Sequence, residues 1–272
     1  MRKLALRMAL LAVPLLAAWL WCSTASAAVI NATFDSGYDV DGGIRRACAQ
    51  ATIDQWESTI TSDITFANAV RFRIVDLGTS GILAATTIAS GGYQPLMAEG
   101  LWSSPEGVSG FVEYGFGIPL DPWGSDTYVT IDLNSVKLGQ MFFGGPADPV
   151  PGGQYDALTL FRHELGHAVG FSVAYADFAA KLTDGPGANR TYNGNDFTVE
   201  LTGAGQGTHV LDSADLMSAY MGTGVRQDVS DDPDLKILMD AYGYTTPEPA
   251  TLALAAIGLA GALAARRRRA AA

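Results

Sequence analysis

The chain has 272 residues, 48% of them hydrophobic, and a formal net charge of −11 at pH 7. Three of its 17 basic residues fall in residues 1–27 and four in 266–269, whereas 27 of its 28 acidic residues lie between 28 and 246, so the intervening body has a charge near −17. Such a body repels nucleic acid and anionic membrane surfaces, and with Cys48 as its only cysteine it cannot form an intramolecular disulfide.

The first 27 residues have a basic start (Arg2, Lys3, Arg7), an apolar run from Met8 to Trp21, and the small residues Ala25-Ser26-Ala27. That is the layout of a secretory signal peptide with its cleavage site. The alternative is a retained anchor, but the run falls short of the roughly 20 residues that span a bilayer. Bulky Trp21 argues against lipid attachment at Cys22.

Residues 28–245 then form one sizeable domain. Residues 42–60 read as a helix, with Ile53, Trp56 and Ile60 at helical spacing. Cys48 lies in that apolar pattern and reads as a buried structural thiol rather than a nucleophile. Val70, Phe72 and Ile74 alternate with Arg71 and Arg73, the mark of a half-buried strand. Residues 82–89 form a weaker strand, and 91–125, rich in Gly, Pro and Ser, read as a long irregular connection. A further strand runs from Tyr128 to Leu133, and a Gly/Pro cluster from Gly144 to Gly153 breaks the chain. Asp156 then caps a helix running to about Val169. Residues 182–208 return to Gly, Asn, Asp and Thr. Within them, Asp184–Asp196 reads as a flexible solvated loop, since its spacing matches no ordered Ca2+ loop. A last helix lies near Asp234–Tyr242. Helices and strands without regular βαβ alternation indicate an α+β domain.

The helix at 157–169 carries His163-Glu164-Leu165-Gly166-His167. Residues four apart share a helix face, so both imidazoles can reach one ion. Glu164 lies about 100° round from His163, beside the ion rather than on it, where a carboxylate can take a proton from an activated water. Leu158, Phe161, Leu165 and Ala168 form the opposing, core-facing stripe. A zinc ion needs a third protein ligand and an open position. Candidates are His209, the third of three histidines, and the acidic Asp177 and Glu200. Neutral imidazole suits zinc and favours His209.

The run continues to Gly170-Phe171, and His163–Gly170 resembles the metzincin zinc peptidases, whose active-site helix ends at such a glycine. Three residues later, where the short form of that motif places its third ligand, this chain has Val173, which excludes the short form. Thr208-His209 followed by Leu216-Met217 is similar to the leishmanolysin-type variant, in which an insertion separates helix and third histidine. The resemblance spans residues 155–244. It implies a two-lobed zincin-like fold with a mixed sheet, His209 as third ligand, Met217 in a Met-turn beneath the metal, and Tyr220 as a hydrogen-bond donor to the oxyanion.

The chain ends in Pro247-Glu248-Pro249, an apolar stretch from Ala250 to Ala265, and Arg266–Arg269. The arginines would stay cytoplasmic, as in a stop-transfer segment. All three parts, in this order, resemble the PEP-CTERM signal of Gram-negative bacteria, which an exosortase-like membrane protease processes. The alternative is an ordinary single-pass anchor. Residues 246–272 therefore form a sorting segment with transient membrane anchoring, and the domain belongs to the cell envelope or exterior.

Together these readings predict an exported zinc-dependent endopeptidase acting on proteins or peptides, with Glu164 as general base and Tyr220 as helper. An extended substrate would pair with a strand edge at 82–89. The rival is a non-enzymatic surface or matrix protein with a structural or vestigial zinc site. A further rival is a metallohydrolase of another substrate class, such as polysaccharide.

Overall fold

The computed structural model describes residues 28–60, 70–79, 81–90, 97–102, 127–184, 189–202, 209–229 and 231–245. Both terminal signals read from the sequence lie outside these residues. Among the described residues no helix is long and apolar enough to cross a membrane.

The chain enters through β1 (Ala32–Phe34) and a left-handed turn at Asp41–Gly43, which leads into α1 (Ile44–Thr59). Cys48, Ala49, Thr52, Ile53 and Trp56 recur at helical spacing and are the residues of α1 that are buried. β2 (Val70–Val75) follows the expected alternation: Val70 and Phe72 are buried and Arg71 is exposed. β3 (Ile82–Ser90), β4 (Met97–Trp102) and β5 (Thr127–Asn134) complete a five-stranded sheet in the order β1-β2-β5-β3-β4. β1, β2 and β5 are parallel, while β3 runs antiparallel to both β5 and β4, so the sheet is mixed. Arg73 and Asp132 face each other across the β2–β5 register and pair bidentately at 2.6 and 2.7 Å.

A short parallel pair, β6 (Met141–Phe142) with β7 (Tyr155–Asp156), brackets the Gly/Pro-rich turn and delivers the chain to α2 (Ala157–Ala168). α2 lies against β3 and α1. Below it come α3 (Ala176–Ala179), an antiparallel sheet of β8 (Leu182–Asp184), β9 (Arg190–Asn193) and β10 (Thr198–Leu201), and α4 (Lys236–Tyr242), entered through a π turn at Asp231–Leu235. The core runs from Phe72, Trp56 and Phe161 between sheet and helices to Phe171, Phe178 and Tyr192 beneath them. The result is α+β with a mixed sheet, as the sequence indicates.

Three sequence expectations change. The segment 91–125 is not wholly irregular, because Met97–Trp102 forms β4 on the edge of the sheet. As a consequence β3 is paired on both sides and offers no free edge for an extended substrate. Residues 182–208 are not simply a loop: β8 and β9 pair antiparallel through Asp184↔Arg190, within the segment read as solvated. The helix α2 is wholly enclosed, since all twelve of its residues are buried.

Candidate metal centre

The site is built on α2, which is fixed at both ends. At its start the Asp156 carboxylate accepts from the Thr159 N–H (3.1 Å), capping one orphan donor of the first turn, and from the Thr159 hydroxyl (2.8 Å). The same carboxylate is held bidentately by Arg226 at 2.9 and 2.7 Å. Arg226 also donates to the carbonyls of Gly145, Pro146 and Asp148. At its far end the chain turns at Gly170, whose φ of +132° few side chains tolerate. A Cβ there would lie 2.4 Å from the Tyr242 ring, and the Tyr242 hydroxyl donates to the Gly170 carbonyl at 2.7 Å.

The i,i+4 spacing places the rings of His163 and His167 with centroids 4.7 Å apart. His163 Nδ1 lies 2.7 Å from the Leu216 carbonyl and His167 Nδ1 lies 2.8 Å from the Phe171 carbonyl. A carbonyl oxygen only accepts, so each Nδ1 carries its ring's proton. The two Nε2 atoms, 3.0 Å apart, therefore present lone pairs to each other. A proton between them would place a charge in a fully buried site, which burial opposes. Burial, followed by the neighbouring histidine, holds His163 well below the ordinary imidazole range, against the Leu216 carbonyl, which raises it. Two opposed lone pairs in a buried site are arranged for a cation.

His209 closes the group. Its ring stacks on His163 at 5.2 Å and meets His167 edge-on at 4.9 Å. Burial, then His167 and His163, lower its affinity for a proton as well. One nitrogen from each of the three rings lies within 4.8 Å of the others, and among the described residues this is the group that can hold a metal ion. Three neutral imidazoles suit a divalent transition metal.

The segment that carries His209 is tied to α2. Beyond supplying the carbonyl for His163, it lays Met217, fully buried, against the helix at Gly166, where a Cβ would lie 2.4 Å from the Met217 sulfur. Gln227 accepts from Arg162 through its carbonyl (2.8 Å), and its own N–H donates to the Thr159 hydroxyl at 2.9 Å. Arg162, itself buried, also pairs with Asp228 at 2.8 Å. Trp56 of α1 donates from Nε1 to the Arg162 carbonyl at 3.0 Å, joining the two helices beside the site.

Glu164 is fully buried next to the cluster, and its Oε2 accepts from the Thr86 hydroxyl of β3 at 2.6 Å. The other sequence candidates fall elsewhere. Asp177 is exposed in the first turn of α3, Glu200 is exposed on β10, and neither joins the histidine group. Tyr220 is 40% exposed, so core packing does not account for it. A cavity of about 830 Å³ borders Val210 and Leu216, between acidic Glu200, Asp212, Asp215 and Asp228, and contains none of the three histidines.

Sequence reading missed Thr86, Arg226 and the two carbonyls that orient the imidazoles. Thr86 carries a signal in retrospect: in β3 it shares inward parity with Ala84 and Ile88, both fully buried, and is the polar member of that row. The carbonyls of Phe171 and Leu216 are main-chain atoms, and no side-chain pattern announces them.

Comparison with known proteins bears on the C-terminus. The family model of the PEP-CTERM protein-sorting motif matches residues 245–269. That signal marks an exported protein of Gram-negative bacteria and implies processing by an exosortase-like enzyme. No curated protein and no solved structure matches the chain.

Proposed function

We propose that this chain is an exported zinc-dependent endopeptidase with a zincin-like, metzincin-type site, His163, His167 and His209 holding the metal and Glu164 serving as general base. The observation that carries the reading is the pair of Nε2 atoms 3.0 Å apart, each with its Nδ1 committed to a carbonyl, with His209 completing the group, and Glu164, buried, follows His163 on the same helix. The donor set fits zinc, whose bonds to imidazole nitrogen of about 2.0–2.1 Å place tetrahedral ligand atoms about 3.3 Å apart. Three protein ligands leave a fourth position open, the pattern of a catalytic rather than a structural zinc site. The mixed sheet against α2, the glycine turn at Gly170 and Met217 beneath Gly166 support the zincin reading.

Bound zinc supplies Lewis acidity, lowering the pKa of water towards about 7 and polarising the scissile carbonyl. Glu164 takes the proton from the attacking water as its oxygen bonds to the carbonyl carbon. As the C–N bond breaks, the same carboxyl passes that proton to the departing amine. Tyr220, exposed after the turn, donates a hydrogen bond to the developing oxyanion. Among the described strands β4 ends the sheet beyond β3, and an extended peptide pairs along it.

A non-enzymatic protein with a structural zinc site has no use for a buried carboxylate beside the ligands, and Glu164 is what separates the two readings. The test is hydrolysis of casein and of a quenched peptide library by the zinc-loaded full chain, with and without chelator. Glu164→Ala should keep its zinc and lose hydrolysis. Wild-type turnover by that variant, or none by the zinc-loaded wild type, overturns the assignment.

A further inference from the structure

We infer that Thr86 is the positioning residue that fixes the carboxylate of Glu164, an inference that rests on the peptidase reading for its catalytic consequence. The row of β3 side chains facing α2 runs Ala84, Thr86, Ile88, all fully buried, and in the register Thr86 stands opposite Ile131 of β5. Valine would fill the same space in this apolar row, and burying a hydroxyl there costs free energy unless it is hydrogen-bonded.

The hydroxyl meets Glu164 twice: Oε2 at 2.6 Å and the main-chain carbonyl at 3.0 Å. It has a single proton to give. The shorter contact is of the length found when a hydroxyl donates to an ionised carboxylate, and such bonds are about twice as strong as neutral ones. With that proton committed to Oε2, the carbonyl at 3.0 Å records only how closely the strand approaches the helix turn that presents Glu164. The strand sets the carboxylate's rotamer, and the helix sets the imidazoles, so base and ligands are located by different elements. A general base acts only within hydrogen-bond reach of the proton it takes. A carboxylate released to another rotamer would lose that reach while the ligands stayed in place.

The test compares Thr86→Ser, which keeps the hydroxyl, with Thr86→Val, which keeps the shape, in the full chain. A positioning role predicts that T86S retains kcat within about threefold and that T86V loses about ten- to hundredfold. KM should stay within about twofold and zinc at one ion per chain for both. A space-filling role predicts the reverse order, because serine leaves a methyl-sized void and valine does not. Wild-type turnover by T86V, or a parallel fall in kcat, thermal stability and zinc content, overturns the inference. Should T86V not fold, Thr86→Ala replaces it, with the same expectation for kcat. If the zinc-loaded wild type cleaves no peptide, the peptidase reading fails, and Thr86 is then decided by crystallography. The Glu164 carboxylate should leave its wild-type position in T86V and keep it in T86S; an unmoved carboxylate in T86V refutes the positioning role.

Discussion

Arg226→Ala should be strongly destabilising although Arg226 lies outside the histidine group. Arg226 makes two hydrogen bonds to Asp156 and three to carbonyls of the Gly/Pro-rich turn. Its side chain is 15% exposed and that of Asp156 is fully buried. Removing one member of a buried pair leaves the other charge uncompensated, at a cost of about 3–5 kcal/mol. Asp156 retains its two bonds from Thr159, which places the expected loss near the lower figure. For a domain of this size each kcal/mol moves Tm by about 2–4 °C, so a drop of about 6–12 °C is expected. Thermal unfolding of the zinc-free chain followed by far-UV circular dichroism measures it. The double variant Asp156→Asn, Arg226→Met should recover part of the loss, because it removes both charges. A Tm within about 2 °C of wild type for R226A, or a double variant worse than the single variants combined, would refute the view that this pair anchors α2.

Three further outcomes follow from the same geometry. Burial lowers the proton affinity of His163 and His209 in the fold, so the unfolded chain binds more protons than the native one; stability should be complete above the unfolded imidazole value of about 6.5 and decline as pH falls below it. Metal-free melting curves from pH 8 to 5 check the sign, and a Tm that rises on acidification in this range contradicts it. Gly170→Ala forces a Cβ towards the Tyr242 ring at an unfavourable φ and should cost about 2–4 kcal/mol. It should also weaken metal binding by displacing the Phe171 carbonyl that orients His167, and competition with a chromophoric chelator reads this directly. Cys48 is buried and its thiol is pushed up to about 12, chiefly by burial, so a thiol reagent at pH 8 should label it only on unfolding; rapid labelling of the native chain would disprove that.

The elements legible in the sequence are those with strong periodicity. Val70, Phe72 and Ile74 gave β2, Val129, Ile131 and Leu133 gave β5, and the capped helix at Asp156 was correct to within a residue at either end. The histidine group was legible too, because three histidines in 272 residues leave little choice. Short strands were not legible. β8, β9 and β10 have only three or four residues each, among Gly, Asn and Asp that read locally as turns; their pairing with one another decides the matter, and that information is non-local. β4 was hidden for a similar reason, with Gly100 inside it and Gly/Pro-rich sequence on both sides. The full burial of α2 was not legible either. Its polar residues face neighbouring protein groups instead of water: Arg162 meets Gln227 and Asp228, and Glu164 meets Thr86. Amphipathic spacing marks a chemically distinct face but does not say that solvent covers it.

Metal content is the decisive measurement. The full chain, purified without added metal, dialysed against zinc and then against metal-free buffer, should carry one zinc ion per chain by mass spectrometry, and the His163→Ala, His167→Ala and His209→Ala variants should each lose it. A folded wild-type chain that retains no zinc, or a His209→Ala variant that binds it as tightly as wild type, contradicts a metal held by these three imidazoles.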